Sequence, residues 1–336
     1  PKSNSNKPLK GESRMKKLTM GLVGALSGLS VMSTSAHACG EVSITEMNWA
    51  SSQLVTAVAK FIMEQGYGCK VKKVPSATVT AVASMAETNQ PDIATEIWLN
   101  SAALYPKLVK QGKVKTVANV LSDGGEENWW IPQYLADKHP ELKTIDGVLK
   151  NPKLVGGRFH NCPTGWGCRL ANDNLKVAYG LEKSGIEVFD HGSGETLATS
   201  LASAYADKKP WFGYYWAPTA ILGKYKMVKV DMGPHNAEYH KCNQKKDCAT
   251  PRKSSYPSAP VLTAVTTTFA KREPAIVELM SKVSFTNAQM GELLAWKKDG
   301  KKTADETAVY FLTKYKAVWG GWLYADAKKK LAALLK

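Results

Sequence analysis

Long apolar runs are missing from this 336-residue chain, and so are the short motifs of the common hydrolytic and nucleotide-using enzymes. The longest apolar stretch, Leu18 to Met32, is broken by glycine and serine. It falls short of the roughly 18 to 20 residues a membrane-spanning helix requires. There is no G-x-S-x-G, H-E-x-x-H or P-loop, and HGSGETL (191–197) holds two glycines of a dinucleotide fingerprint and then stops. Internal repeats, low-complexity tracts and long linkers are absent too. Acidic residues are scarce, 29 against 45 Lys and Arg, which leaves a net charge of +16. The lysines are scattered through KVKK, KQGKVK, NQKKD, WKKDGKK and DAKKK with no nucleic-acid motif around them. No nucleic-acid partner is expected, and the excess reads as solvated faces or contact with an anionic membrane surface.

Cysteine is absent before position 39. The segment 15–38 has a basic start, an apolar centre and the small-residue site AHA directly before Cys39, the pattern of a cleaved secretory signal peptide. Residues 1–14 are read as upstream or added sequence. A lipid anchor at Cys39 is not favoured, because AHAC lacks the leucine and small residue such sites carry. Export makes the even set Cys39, Cys69, Cys162, Cys168, Cys242 and Cys248 a disulfide framework. Fifteen pairings are formally open to six cysteines. Cys162–Cys168 and Cys242–Cys248 close short loops, and Cys39–Cys69 remains. A zinc reading of His235, His240, Cys242 and Cys248 fits no standard spacing and is set aside, so no metal and no cofactor is expected.

With 44% hydrophobic residues the chain can bury a sizeable core, and its length favours about two domains. From Glu41 the pattern alternates strand, helix, strand, helix, strand up to IATEIW (93–98), which predicts an α/β fold with an open sheet. A second such unit begins near Asn151, and the helical segments after residue 270 leave no room for a third sheet. The expected architecture is two α/β lobes joined by a double crossover. Residues 39–148 with 259–336 would form one lobe and 149–258 the other, joined by crossovers near 145–152 and 255–262. Such lobes enclose a cleft that closes by hinge motion.

Four tryptophans stand where strand-like runs give way to turns: Trp49, Trp98, Trp166 and Trp216. Indole faces suit a methylated ammonium group, which has no hydrogen-bond donors and is attracted to the ring quadrupole. Around Trp166 the run GRFHNCPTGWGC holds the indole between glycines inside a short cysteine loop, and a helix is read from Arg169 onward. The amides of Gly167 and Cys168 at that helix start form a candidate anion site, with Arg169 beside them. Tyr215 is expected beside Trp216. Acidic candidates for the far end of the ligand are Glu46, Glu96, Glu126 and Glu127, chosen for their nearness to the tryptophans. Trp129, Trp130 and Trp211 fit either cleft or core, while Trp296, Trp319 and Trp322 in the C-terminal helical run are expected in the core.

GWGC between paired cysteines, the strand-end tryptophan of IATEIW and the YYWAP block resemble the ProX/OpuAC-like substrate-binding proteins of ABC transporters for glycine betaine and related osmolytes. The likeness spans the chain from Glu41 to the C-terminal helices. It implies a two-lobed periplasmic-binding-protein fold of type II, with a tryptophan box at Trp98, Trp166 and Trp216 around a trimethylammonium group. The opening EVSITEMNWASS, with Trp49, looks more like the branch that takes trimethylamine N-oxide. The expectation is therefore a monomeric periplasmic binder, not an enzyme, that delivers trimethylamine N-oxide, glycine betaine, choline or dimethylsulfoniopropionate to a membrane permease. The competing readings are an exported enzyme acting on a choline-like amine and a receptor-coupled sensor of the same ligands.

Overall fold

A computed structural model describes residues 39–335, so the signal-peptide reading and that of residues 1–14 lie outside the described residues. Strands β1 (Glu41–Met47), β2 (Lys70–Ser76) and β3 (Ile93–Trp98) alternate with helices Ala50–Tyr67 and Thr78–Thr88. β1 lies between β2 and β3 and is parallel to both. Every residue of β3 is buried, as expected of a strand covered on both faces. Helix Ala50–Tyr67 stops at Gly68, whose φ of 72° is the left-handed conformation glycine adopts at little cost.

The strand β4 (Val114–Pro132) runs through the middle of the sheet. Its residues from Val114 to Gly125 pair antiparallel with β9 (Ala259–Thr266), and those from Glu126 to Trp130 pair antiparallel with β7 (Gly213–Ala217). β8 (Met227–Lys229) pairs with the last residues of β4. Strands β5 (Arg158–Asn161) and β6 (Glu187–Asp190) complete the second half, parallel to β7 and to each other. The order β2-β1-β3-β9-β4-β7-β5-β6, with β8 off this path, makes a nine-stranded mixed sheet of the type II periplasmic-binding-protein fold.

The first crossing between halves thus falls within β4, near Gly125, and not at 145–152. Glu126–Pro132 belongs to the second half, and so does the following segment, where Thr144 bridges Asp231. The chain re-enters the first half of the sheet at β9, which starts at Ala259. Helices Ala304–Lys314 and Ala325–Leu334 pack on helix Ala50–Tyr67 in the first half. Each half has its own aromatic centre. In the first, Phe285 meets Phe311 and Trp322. In the second, Trp129 meets Phe159, Tyr179 and Phe212.

Trp129 and Trp211 are buried in this packing, and Trp130 donates its indole N–H to the Tyr215 carbonyl, so none of the three lines the cleft. Trp319 and Trp322 are core residues. Trp296, expected with them, is only half-buried and stacks on Tyr310. All three disulfides form as paired above, Cys39–Cys69, Cys162–Cys168 and Cys242–Cys248. The first pins the starts of β1 and β2. The zinc reading fails because Cys242 and Cys248 are bonded to each other.

Two histidines, half-buried His160 and buried His240, give the fold an acid sensitivity. His160 contacts His191 through a ring nitrogen pair 2.9 Å apart and stacks on Trp211, and burial pushes its pKa down to about 3. His240 meets the Asn100 carbonyl, and burial takes it down to about 4. The unfolded chain binds these protons near pH 6.5, so the contribution is complete above that pH and is lost as pH falls toward 3. Buried Glu96, raised to about 7, works in the opposite sense between pH 7 and about 4.5. The histidine contribution is therefore read as a difference: the melting temperature of wild type minus that of His160→Gln should shrink steadily from pH 7.5 to pH 4. A constant difference would assign His160 to packing alone.

Candidate functional site

The cage assembles where both halves of the sheet end. Trp49 follows β1 at the start of helix Ala50–Tyr67, and Trp98 closes β3. Trp166 precedes helix Gly167–Tyr179, and Trp216 lies in β7. With Thr78, Ser101, Glu127, Gly167, Cys168 and Tyr214 they surround a small cavity.

The rings meet edge to face. Trp49 and Trp166 have centroids 5.2 Å apart at 72°, and Trp166 and Trp216 are 5.0 Å apart at 85°. Indole N–H groups are tied off on the protein: Trp49 donates to Glu96 Oε2 at 2.5 Å, Trp98 to the same oxygen at 3.4 Å, and Trp166 to Asn48 Oδ1 at 2.5 Å. Anchored edges leave the electron-rich faces for a cation. The Trp166–Asn48 bond also links the second half to the end of β1.

Local backbone explains the close approach. A Cβ on Gly167 would stand 1.7 Å from the Ser101 carbonyl oxygen, so only glycine lets the turn carrying Trp166 reach the first half. The helix starts at Gly167 itself, two residues before Arg169. The Gly167 and Cys168 amides occupy its first positions, where no intrahelical acceptor exists, and both residues line the cavity. Arg169 is not part of the site, because Asp173 at 3.0 Å and Asp190 at 2.6 Å hold its guanidinium.

Glu127 enters the cage from β4, directly opposite Trp216 in the β4–β7 register. It is 4% exposed and accepts from Tyr214 Oη at 2.7 Å and Ser101 Oγ at 3.1 Å. Burial raises its pKa, and those hydrogen bonds work against the rise. Glu46 does not join it: its carboxylate pairs with Lys73 on β2 at 2.6 Å. Glu126 points to the other face of β4 and pairs with Lys229. Glu96 is fully buried behind Trp49 and Trp98 and does not line the cavity.

Tyr215 is misplaced by one residue in the expectation. Alternation along β7 puts Tyr214 and Trp216 on one face and Tyr215 on the other, so Tyr214 lines the cage. Tyr215 lines an adjoining cavity of about 320 Å³ that shares Trp49 and Trp216 and carries Lys297, Lys298, Lys301 and Lys302. Four lysines disfavour an onium guest there, which leaves the smaller cavity as the site. Ser101 and Thr78 were not anticipated. Strand alternation in YYW could have found Tyr214, but nothing in the sequence marks Ser101.

The split sheet and the aromatic pocket at its joint define a solute-binding protein of the periplasmic-binding class. Residues 40–314 match the family model for the substrate binding domain of ABC-type glycine betaine transport systems. The chain belongs to this family of extracytoplasmic substrate-binding proteins, which bind small ligands for a transport permease and are not enzymes. Solved structures share the fold. An ABC-transporter choline binding protein in complex with choline has 18% identity and a TM-score of 0.71 over 89% of this chain and 99% of that one. The glycine betaine/L-proline-binding protein (ProX) of Borrelia burgdorferi has 16% identity and a TM-score of 0.71 over 87% and 99%. Lactococcal OpuAC, closed on glycine betaine, has 19% identity and a TM-score of 0.67 over 85% and 100%.

Proposed function

We propose that this protein is the periplasmic binding component of an importer for a small methylated amine, with trimethylamine N-oxide as the preferred ligand. The reading rests on one observation: a buried carboxyl, Glu127, inside a ring of four indoles. The rings take the methylated nitrogen. Each desolvated contact is worth about 1 to 2 kcal/mol, so four supply about half or more of the roughly 8 kcal/mol that micromolar affinity needs. Methyl burial adds to that.

The opposite end selects among the amines. An N-oxide presents one basic oxygen that can share a proton with a buried carboxyl, and burial raises the Glu127 pKa in the direction that favours such sharing. A betaine carboxylate would face the same group and would have to turn to the Gly167 and Cys168 amides. The ligand would touch Trp49 and Trp98 in one half and Trp166 and Trp216 in the other, so the closed form binds it more tightly than the open one and is selected by it. The loaded protein, as a monomer, would then dock on its membrane permease.

Calorimetric titration of the mature protein with trimethylamine N-oxide, glycine betaine, choline and dimethylsulfoniopropionate tests this. The expected order places the N-oxide first, in the micromolar range. Absence of heat with all four sinks the proposal, and a tenfold preference for betaine sinks the choice of ligand.

A further inference from the structure

We propose that Glu96 is a positioning residue that also sets the charge of the cage: its carboxylate fixes the indoles of Trp49 and Trp98 and supplies the counter-charge for a cationic guest. This rests on the methylated-amine reading of the site.

The geometry singles Glu96 out. It stands in β3 at a break in register between Ala94 and Ile97, with a left-handed φ of 51° that a residue with a Cβ adopts only at a cost. Bulges of this kind re-aim a side chain. Here the side chain is sent behind the cage, where Trp49 Nε1, Ser51 Oγ and Trp98 Nε1 all donate to the single oxygen Oε2. The other oxygen, Oε1, is buried without a partner. A neutral acceptor would serve as well to orient two indoles. What a carboxylate adds is charge, and no basic side chain compensates it: burial dominates its environment, and only the three donors oppose it.

Other ionisable groups stand elsewhere. Glu127 and Tyr214 line the cage, Asp92 at the start of the same strand is paired with Arg272, and the four lysines line the adjoining cavity. A negative charge on Oε2 pushes electron density through the N–H bonds into both rings and strengthens their faces toward a cation. Burial holds the free carboxyl near pH 7, so part of it is protonated at neutrality. A bound cation favours the ionised form, and a proton leaves as the ligand enters.

Titration of choline, glycine betaine and trimethylamine N-oxide at pH 7, in buffers of different ionisation enthalpy, counts that proton. Wild-type protein should release roughly half a proton with any of the three that binds. Glu96→Gln should lose most of that release and bind about tenfold more weakly, while Glu96→Asp should retain both better than Gln does. Glu127→Gln identifies any share that belongs to Glu127. Unchanged affinity and proton count in Glu96→Gln would overturn the inference and leave Glu96 a neutral bracket. Equal loss in Gln and Asp would overturn it as well, by making shape the cause. If Glu96→Gln does not fold, wild type against Glu96→Asp decides by the same proton count, with none released by either overturning it. Failure of wild-type protein to bind any of the three would remove the methylated-amine reading and this inference together, an outcome distinct from the others.

Discussion

Replacing Trp166 with Ala should lower affinity for the preferred amine about a hundredfold, measured by titration calorimetry. Two losses combine. One is a ring face worth about 1 to 2 kcal/mol to the cation, and the other is the apolar surface that covers its methyl groups, worth about 1 kcal/mol more. Together they approach the roughly 2.7 kcal/mol that a hundredfold change represents. The neighbouring rings suffer too, since Trp166 braces Trp49 on one side and Trp216 on the other. Trp166→Phe keeps a face but drops the bond to Asn48, so its loss should be intermediate. The melting temperature of the unliganded Ala variant should fall by only a few degrees, because the main aromatic centre of the second half is built on Trp129. A stability loss as large as the affinity loss would make Trp166 a core residue.

The second large effect is a change of preference. Glu127→Gln should shift the ratio of glycine betaine to trimethylamine N-oxide affinity by at least tenfold toward betaine. Two like charges cannot share a desolvated pocket cheaply, so removing the carboxyl lifts an obstacle to the betaine carboxylate. Its amide nitrogen also provides a permanent donor for the betaine carboxylate. Shape is nearly unchanged, and Tyr214 and Ser101 can still bond to the amide oxygen. Competitive titration with both ligands reads the ratio, and an unaltered ratio would place selectivity elsewhere.

The sheet-and-helix alternation and the four tryptophans were legible because their signals are local. Strands ending in Trp49 and Trp98 carry their periodicity within a few residues, and GWGC announces its turn by composition. The place where the halves join was not. VKTVANVLSDGGEENWWIP contains two adjacent glycines and polar residues that resemble a loop, yet β4 carries on through them by shifting its register against β9. Long-range pairing supplies what local pattern does not. Glu46 was chosen for its nearness to Trp49 along the chain, but the parallel pairing of β1 with β2 brings Lys73 alongside and commits the carboxylate there. Glu127 was chosen by the same proximity argument, and what places it in the cavity is a strand pair, opposite Trp216, that sequence alone did not reveal.

The stretch of β4 where the strand changes partners packs against one of the pocket's rings. A Cβ on Gly125 would sit 2.0 Å from a ring carbon of Trp98, so bare backbone lies flat beneath that indole. A side chain larger than hydrogen at position 125 would therefore displace the Trp98 ring, so the point where the strand changes partners and the shape of the aromatic wall cannot be altered independently.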